Sequence, residues 1–420
     1  MRRACFRILA VVTIALMGAR GQAADAPPGF PTFQMQEIDT GLTIGYAVIA
    51  ADINGDKKPD IVVVDKHKVV WYENPTWKKR VILDGKTAPD NVCITALDID
   101  GGGDLELVVG AAWKPFDTRT PGTLQWLKRG KTLEDEWTMY PIPCEEPTVH
   151  RVRAIDIDGD GKPEVVHVPL IGREATKEAN WMNGRPVRVM AYKVPADPTK
   201  PENWKPMVLS EELHVCHNFA PVPASGGDNI IITAYEGVFN LAHTKPGTPW
   251  NATKLGVGNQ DNPKSNRGAS EIKMGSLANR IGVIATIEPW HGNQVVTYSE
   301  PRPGESIWNR HVIDDQLRWG HAVTFADLDG DHVDELNIGV RDDPNAKIGD
   351  TFTEKKGVRV YKCIDGKGAK WERFLLENGG VAVEDLTAAD FDGDGRIDIV
   401  AVGRATGNAR IYWNKGVEKK

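Results

Sequence analysis

The sequence has little cysteine, little histidine and no excess of positive charge. It contains 5 Cys and 10 His in 420 residues, and its formal net charge is −7 at pH 7. A pI near 5.9 argues against a nucleic-acid-binding protein, which would normally carry a basic patch. Beyond the N-terminus no apolar run approaches the roughly 18 residues of a membrane span. The composition, 41% hydrophobic and 26% charged, is typical of a globular chain and not of a disordered or fibrous one.

The N-terminus has the pattern of a secretory signal peptide. Arginines precede an apolar run from Ile8 to Met17, and Gly21 and Ala23 occupy the −3 and −1 positions of a cleavage site. We therefore predict that residues 1–23 are removed and that the mature chain is secreted or periplasmic. An exported chain could form disulfides, but four thiols allow three pairings, and free buried cysteines are an equally good interpretation. The remaining cysteines are Cys93, Cys144, Cys216 and Cys363.

One pattern recurs along the rest of the chain: an apolar strand, an acidic turn and a Val/Ile-rich strand. The acidic turns begin at Asp52, Asp98, Asp156, Asp327 and Asp390. An aromatic residue opens a later strand of each repeat, at Trp77, Trp137, Trp204, Trp250, Trp308 and Trp371. Two further copies, Ala220–Thr233 and Ile272–Thr286, keep the strands and lack the acidic turn. Four short strands per repeat at this period predict a β-propeller.

The two ends of the chain complement each other. Residues from Phe33 match the fourth-strand pattern but precede the first repeat, whereas the last repeat stops after its third strand at Trp413. We predict an all-β, seven-bladed propeller over residues 24–420, closed by the N-terminal strand, which protects a sheet edge. The predicted blades are residues 40–85, 86–142, 143–210, 211–257, 265–313, 314–376, and 377–416 with 32–39.

The acidic turns have the spacing Asp-x-Asp-x-Asp-Gly-x-x-Asp/Glu, with Gly102 replacing the third acid in the second blade. Oxygen ligands at alternate positions of a tight loop suit Ca²⁺, so we predict up to five structural calcium sites. The predicted ligands are Asp52, Asn54, Asp56, Asp60; Asp98, Asp100, Glu106; Asp156, Asp158, Asp160, Glu164; Asp327, Asp329, Asp331, Glu335; Asp390, Asp392, Asp394 and Asp398. A solvated turn without an ion is the alternative.

These repeats resemble the FG-GAP/VCBS repeats of integrin-type propellers. The resemblance covers essentially all of the mature chain and implies the fold. It does not imply one function, because such repeats occur in enzymes, adhesins and polysaccharide-binding proteins.

The face of the propeller opposite the acidic turns collects polar residues. The position six residues before the first Asp of each turn, or its equivalent, holds Tyr46, Val92, His150, His217, Glu271, His321 and Glu384. Imidazole and carboxylate are normal ligands of Zn²⁺ or another divalent transition metal, so we predict a channel metal held by His150, His217, Glu271 and His321. Polar side chains in a wet channel are the alternative.

The second strands end at the same face, and the residues that follow them are candidates for binding and catalysis. They are Trp113, Arg173, Glu236, Trp290, His291, Asn293, Arg341 and Arg404. Arginines suit an oxygen-rich ligand, and exposed Trp113 and Trp290 suit a sugar ring. Arg151 is a further candidate at the rim. A thiolate site at Cys216 is not favoured, because strand alternation points it away from His217.

The run from Glu288 to Asn293, followed by Trp319-Gly-His321 and the acidic turn at Asp327, is similar to the propeller domain of aldos-2-ulose dehydratases. That fungal family eliminates water from 2-keto sugars with a metal-dependent site in the propeller mouth. The resemblance rests mainly on the fifth and sixth blades and does not extend to that family's cupin-like domains. It implies a carbon–oxygen lyase acting on a keto sugar. A lyase or hydrolase that uses the same metal on an oxidised (3-keto) glycoside or a polysaccharide is a further interpretation.

In this interpretation His291 and Glu384 are the candidate base and acid. Arg341, Arg173 and Arg404 orient substrate oxygens, and Tyr46, Glu236, Asn293 and Arg151 contact the sugar. The alternative is a non-catalytic, calcium-stabilised propeller that binds a glycan or a protein. The sequence does not decide the oligomeric state.

Overall fold

The computed structural model describes residues 20–22, 29–280, 282–341 and 356–417. Most of the predicted signal peptide lies outside the described residues. Only the backbone of Arg20–Gln22 is described, as a short strand, β1. In the described part of the chain no helix is long and apolar enough to cross a membrane.

Seven antiparallel sheets account for the fold. The N-terminal strand β2 spans Phe33–Asp39. Blade 1 contains β3 (Ala47–Ala51), β4 (Asp60–Val64), β5 (Lys68–Glu73) and β6 (Lys78–Asp84). Blade 2 contains β7 (Cys93–Leu97), β8 (Glu106–Ala111), β9 (Thr123–Lys128) and β10 (Thr138–Ile142). Blade 3 contains β11 (Val149–Ile155), β12 (Glu164–Pro169), β13 (Val187–Tyr192) and β14 (Pro206–Leu213). Blade 4 contains β15 (Phe219–Val222), β16 (Asn229–Ala234), β17 (Gly237–Ala242) and β18 (Asn251–Gly256).

The remaining blades repeat this order. Blade 5 contains β19 (Ile272–Ser276), β20 (Gly282–Glu288), β21 (Gln294–Ser299) and β22 (Asn309–Asp314). Blade 6 contains β23 (Gly320–Ala326), β24 (Glu335–Val340), β25 (Gly357–Cys363) and β26 (Trp371–Leu375). Blade 7 contains β27 (Val383–Ala389), β28 (Asp398–Gly403) and β29 (Ala409–Asn414). Short 3₁₀ turns occur at Lys177–Ala179, Pro201–Asn203 and Ala278–Arg280. Strands β14 and β22 run a few residues beyond the predicted blade ends at residues 210 and 313.

The seven-bladed ring and its closure are as predicted. The first strands contact one another in sequence from β3 to β27, and β27 contacts β3. Strand β2 pairs antiparallel with β29, from Phe33 opposite Asn414 to Asp39 opposite Ala409, and so supplies the fourth strand of blade 7. The degenerate copies also form complete blades, 4 and 5.

Burial explains the pattern of the strands. Every residue of β4, β8, β12, β20, β24 and β28 is buried, because the second strand of a blade is covered by both neighbouring blades. The fourth strands β6, β10 and β26 are mostly exposed or half-buried with only one or two buried positions each, as expected of edge strands that face water. The regular spacing of the apolar runs along the sequence therefore follows from how the sheets pack. It does not depend on which residues line the mouth.

All four cysteines of the described chain are free thiols, and Cys93 and Cys216 are buried. Burial raises the pKa of the Cys93 thiol to about 12. These two cysteines therefore contribute to the structure as small apolar side chains and not as thiolates.

The buried His167 of β12 makes the stability of the fold depend on pH. Neither ring nitrogen has a hydrogen-bond partner within the described residues, and burial lowers the pKa to about 3. The unfolded chain gains a proton here below about pH 6.5, whereas the folded chain stays neutral, so this stability is lost as the pH falls. In urea unfolding between pH 7.5 and pH 5, we expect the wild type to lose roughly 2 kcal/mol more than His167→Leu.

The control for this measurement is His332→Leu, because the His332 side chain is 95% exposed. This variant should follow the pH dependence of the wild type. If the free energy of unfolding has the same pH dependence in the wild type and in His167→Leu, the pH dependence does not come from His167.

Candidate functional site

The polar residues of the mouth lie where the first strand of each blade begins. In blades 3, 6 and 7 the pairing with the second strand shifts register at this point, and the unpaired residue is His150, His321 or Glu384. A β-bulge of this kind re-aims the extra side chain away from the regular alternation of the strand. Three blades thus use the same local irregularity to direct a functional side chain.

The backbone before these residues is also unusual. Asp90, Thr148, Val215 and Trp319 have φ between 49° and 64°, and each lies two residues before a mouth position. The left-handed region is disfavoured for non-glycine residues, and most strongly for β-branched ones such as Thr148 and Val215. Backbone strain of this kind costs about 1–3 kcal/mol per residue and clusters at functional sites.

Three imidazoles converge in the mouth. One ring nitrogen from each of His217, His291 and His321 lies within 4.8 Å of the other two. The Nε2 atoms of His291 and His217 are 2.7 Å apart. Burial lowers the pKa of all three, and neighbouring Arg341 adds to this effect at His291 and His321. The three rings are therefore neutral near pH 7, which is the form that binds a metal.

Neighbouring groups fix the orientation of two of the rings. His321 Nδ1 lies 2.5 Å from the carbonyl oxygen of Glu384, so this nitrogen carries the proton and donates. His217 Nδ1 lies 2.8 Å from Glu271 Oε1. Burial alone would raise the pKa of Glu271, but the contacts with His217 and Arg151 outweigh burial and hold that pKa at about 2. Both contacts favour Nδ1 as the protonated nitrogen and Nε2 as the lone pair, which at His217 faces Nε2 of His291, and this is the usual second-shell arrangement around a metal-ligating histidine.

Glu384 connects two arginines at the rim. Arg341 Nη1 donates to Glu384 Oε2 at 2.9 Å, and Arg404 Nη1 donates to Oε1 at 2.8 Å. The guanidinium of Arg341 also lies 5.1 Å from the ring centre of Trp319, and that of Arg404 lies 5.1 Å from the ring centre of Tyr46. The mouth therefore combines one carboxylate with positive charge held on aromatic faces.

These residues line a cavity of about 640 Å³, here called the mouth cavity. Its walls include Trp113, Trp290 and Trp319, and its polar lining is His150, Arg151, His217, His291, His321, Arg341, Glu384 and Arg404. Trp113 lies 4.9 Å from His150, and Trp290 stacks on His291 at 4.0 Å between ring centres. Aromatic walls with a few convergent polar groups are typical of small-molecule sites.

Of the candidates that follow second strands, three do not line this cavity, and neither does Glu271 from the first-strand positions. Arg173 donates to Glu145 and Glu146, Glu236 accepts from His214 Nδ1 at 2.7 Å, and Asn293 donates to the carbonyl of Asp315 at 2.9 Å. They follow second strands as predicted, but the loops there differ in length and direct their side chains to local partners. Trp319 was missed as a lining residue, although it stands two residues before His321.

The residues with predicted metal-binding and acid–base roles occupy different relative positions from those expected. His291, a candidate for either base or acid, joins His217 and His321 in the histidine group, whereas His150 and Glu271 lie beside it. Arg151 connects them, with Nη1 3.3 Å from His150 Nε2 and Nη2 3.4 Å from Glu271 Oε1. His150 and Glu271 thus form an outer layer around the three-histidine group.

The acidic turns lie at the opposite ends of the first strands. In four of them three carboxylates offer oxygens within 4.8 Å of one another: Asp98, Asp100, Glu106; Asp156, Asp158, Glu164; Asp327, Asp329, Glu335; and Asp390, Asp392, Asp398. In the first turn Asn54 contributes an amide in place of one acid. Burial raises the pKa of Glu335 to about 8 and that of Glu164 to about 7.

Positive charge already approaches these carboxylates. Lys193 Nζ lies 2.7 Å from Asp158 and 2.8 Å from Asp160, and Lys362 contacts the acids of the blade 6 turn. Glu335 Oε1 is nevertheless buried without a hydrogen-bond partner in the described structure. The donor set and this unsatisfied oxygen fit a hard cation such as Ca²⁺.

Fold and mouth together define a seven-bladed propeller with a histidine-lined cavity at one end of its channel. The family described as the β-propeller domain of aldos-2-ulose dehydratase matches residues 121–301, and the FG-GAP-like repeat matches residues 52–109. The first match includes His217 and His291 but stops short of His321. Both resemblances expected from the sequence are confirmed.

Among curated proteins the chain is similar to the aldos-2-ulose dehydratase of Phanerodontia chrysosporium, with 25% identity over 421 residues. That alignment covers 90% of this chain and 44% of the relative, so the chain spans less than half of the relative's length. The similarity is therefore distant, and it covers only the part of that dehydratase to which the present chain aligns.

Solved structures agree on the fold alone. A chain from the crystal structure of BBS1N in complex with ARL6DN matches with a TM-score of 0.51 at 12% identity, covering 93% of this chain and 98% of that one. An Agrocybe aegerita lectin that recognises non-reducing terminal N-acetylglucosamine matches with a TM-score of 0.50 at 14% identity, covering 80% and 81%.

The carboxylate of Glu384 should be needed to hold the rim together. Replacing it in Glu384→Gln leaves two guanidinium groups without their counter-charge, and Arg341 is 9% exposed. Removing one partner of a buried ion pair costs about 3–5 kcal/mol, and the 34% exposure of the Arg404 side chain lowers this to about 2–4 kcal/mol. Urea unfolding at pH 7 measures the loss.

Glu134→Gln is the matched control, because the Glu134 side chain is 74% exposed although it also contacts an arginine. We expect no measurable change for this variant. Equal stability of the two variants would show that the rim does not depend on Glu384.

Proposed function

We propose that this protein is a metal-dependent carbohydrate lyase, which eliminates water or an alcohol from a keto sugar or an oxidised glycoside in the mouth cavity. One observation carries the proposal: His217, His291 and His321 converge in a cavity that also holds a carboxylate, arginines and tryptophans. The distant similarity to a dehydratase supports the same reaction class.

The three-histidine group would hold a divalent transition metal, with Zn²⁺ the simplest choice for such ligands. When bound, the metal supplies Lewis-acid polarisation of a substrate carbonyl. Glu271 and the carbonyl of Glu384 keep the His217 and His321 rings in the orientation this requires. In this proposal the three histidines bind the metal, and His150 and Glu271 are not direct ligands.

The remaining residues of the cavity position the sugar. Trp113 and Trp290 offer aromatic faces to the apolar side of a pyranose ring. Arg341 and Arg404 retain N–H groups beyond those bonded to Glu384, and these can donate to sugar oxygens. Positive charge at these positions also offsets the negative charge that develops on the keto oxygen when the adjacent carbon loses a proton.

Two residues have the right chemistry for the proton transfers of an elimination. Glu384 is the carboxylate among the described residues that line the mouth cavity, and we assign it removal of the proton next to the carbonyl, at a carboxylate oxygen. Arg151 donates toward His150 Nε2, which leaves Nδ1 as the N–H. Buried and without a partner in the described structure, the Nδ1 N–H can hydrogen-bond to the departing oxygen, which receives the proton that Glu384 has taken up.

The acidic turns would bind Ca²⁺ and stabilise the blades, and the N-terminal pattern would export the chain to a compartment where calcium is available. A non-catalytic propeller that binds a glycan at the same mouth is the second candidate. The aromatic walls of the cavity favour it as much as they favour a lyase, but recognition alone gives no reason for a buried three-histidine group.

Metal analysis tests the histidine group. After a wash with a mild calcium chelator, the wild type should retain about one transition-metal ion per chain, and His321→Ala should lose it while retaining calcium. Mass spectrometry of the metals measures both contents. The exposed His332→Ala is the control and should resemble the wild type.

Turnover is measured with the same proteins on 2-keto and 3-keto sugars, by the ultraviolet absorbance of the conjugated enone that elimination forms. Loss of metal and loss of turnover should coincide in His321→Ala. If His321→Ala keeps the wild-type content of transition metal and the wild-type turnover, the proposed metal site is wrong. If every protein contains calcium and no transition metal, the glycan-binding propeller is the better interpretation.

Calcium removal tests the acidic turns. At a calcium concentration 100-fold above Kd, each site that binds only the folded chain adds about 2.7 kcal/mol of stability. A strong chelator should therefore lower the melting temperature, and Ca²⁺ but not Mg²⁺ should restore it. The variant Asp327→Asn/Asp329→Asn should bind one calcium ion fewer, whereas the exposed Asp261→Asn should not change the content. Unchanged melting with chelator would refute the calcium assignment.

A further inference from the structure

A second cavity of about 370 Å³ adjoins the mouth cavity and is here called the side groove. Phe116 and Trp290 line both cavities, so the two spaces share a wall. Beyond these two residues the side groove is lined by Trp181, Tyr235 and the lysines Lys177 and Lys264. None of the residues assigned to the chemistry of the mouth lines the side groove.

The side groove has one exposed aromatic ring, Phe116, beside the half-buried Trp181 and Trp290 and the buried Tyr235. Phe116 is 61% exposed, and its ring stacks on Trp181 with centroids 5.5 Å apart and an angle of 14° between planes. The indole nitrogen of Trp290, on the shared wall, has no hydrogen-bond partner within the described residues. Because that nitrogen is itself buried, the accessible part of the groove is the stack of Phe116 on Trp181, and an aromatic stack open to solvent on one side is typical of a binding surface.

The backbone is held in an uncommon conformation to present Trp181. Asn180 and Trp181 have φ of 51° and 62°, which places two successive non-glycine residues in the left-handed region. The Asn180 side chain donates to the carbonyls of Ser265 at 3.0 Å and Pro263 at 3.3 Å, and so joins the loop of blade 3 to the segment that precedes blade 5. Strain of this kind persists where surrounding contacts enforce it, often at ligand sites.

The polar groups of the side groove suit a neutral, hydroxyl-rich ligand. Lys177 and Lys264 are exposed and supply N–H donors, and Asn266 adds an amide near the Tyr235 hydroxyl at 3.5 Å. Aromatic faces with donors at their edges match a sugar ring, which has C–H groups on its faces and hydroxyls around its perimeter. The volume of the groove is smaller than that of the mouth cavity and is sufficient for one ring.

We propose that the side groove binds the sugar unit that is glycosidically attached to the reacting keto sugar. This inference rests on the proposed function and narrows its substrate to a glycoside of at least two sugar units. With the keto group at C3 of the reacting ring, loss of the C2 proton forms a C1–C2 double bond and breaks the C1–O bond. The proton taken from C2 by Glu384 is passed to the departing sugar oxygen, so the products are an enone and a free sugar, and no oxidant or reductant is needed.

The test compares the 3-keto derivatives of methyl glucoside and of cellobiose. The wild type should prefer the disaccharide in kcat/KM by about tenfold or more, since losing a well-packed aromatic contact has an effect of this size. In Trp181→Ala the ratio of the two kcat/KM values should fall about tenfold, mainly through KM of the disaccharide. Trp181→Phe keeps an aromatic face and should restore most of the ratio.

Ile364→Ala is the control, because Ile364 is 61% exposed and lines neither cavity. It should leave the ratio unchanged. Equal use of the two substrates by the wild type, or an equal effect of Trp181→Ala on both, would overturn the inference while leaving the proposed lyase activity intact.

A binding measurement separates failure of the side groove from failure of the proposed function. Unoxidised cellobiose should give a saturable change in tryptophan fluorescence that methyl glucoside does not give at the same concentration and that Trp181→Ala loses. If no keto sugar is turned over but this binding is present, the proposed activity is wrong and the groove is a sugar site. If the folded wild-type protein does not bind cellobiose, the proposal that the side groove binds a sugar unit is wrong.

Discussion

Strand β2 pairs with β29, and this single antiparallel contact joins the two ends of the ring. The mouth depends on it because its side chains come from the first strands of blades that follow one another around the channel. Glu384 of blade 7 meets His321 of blade 6, and its partner Arg404 packs on Tyr46 of blade 1, across the point of closure. Without the closing strand, blade 7 would expose an unpaired edge and its position relative to blade 1 would not be fixed. Side chains on the opposite face show the same dependence, since Asn74 at the end of β5 donates to the carbonyl of Phe391 in blade 7 at 2.7 Å.

Within that ring the electrostatics of the mouth are set by a few buried charges. Arg341 and Arg404 share Glu384, while Arg151 lies between His150 and Glu271. The arginines lower the pKa of the nearby imidazoles, so burial and positive charge act in the same direction to keep them neutral. Four neutral imidazoles in contact would be an expensive way to build an apolar channel lining, because each leaves polar atoms to satisfy. Under the proposed function, a bound metal would take up lone pairs of these rings.

Sequence reasoning could reach the fold and part of the site because both repeat. The acidic turn fixes a register in each blade, and the position six residues before it selected His150, His321 and Glu384 together with His217 by analogy. The role of His291 could not be read in this way, since it follows a second strand, where the loops have no common length. The same absence of periodicity explains why Arg173 and Glu236, which follow other second strands, were assigned to the mouth although they pair with Glu146 and His214. The β-bulges and left-handed residues that aim the histidines carry no composition signal, because Thr148, Val215 and Trp319 are not residue types that favour a positive φ.

Strained backbone is the feature that connects the mouth cavity to the side groove. His291 and Trp319 at the mouth and Trp181 in the groove all have positive φ, and each is an aromatic residue whose ring faces another ring. Positive φ also occurs elsewhere in the ring, for example at Trp77 on the opposite face, whose side chain packs on Phe391 and Trp413, so this conformation is a general means of placing rings. The contacts made by the rest of the fold offset this strain, and the result is a fixed position for a few aromatic rings. At the mouth and in the side groove the rings placed in this way border two adjoining cavities, so the proposed ligand would contact aromatic faces over more than one sugar ring.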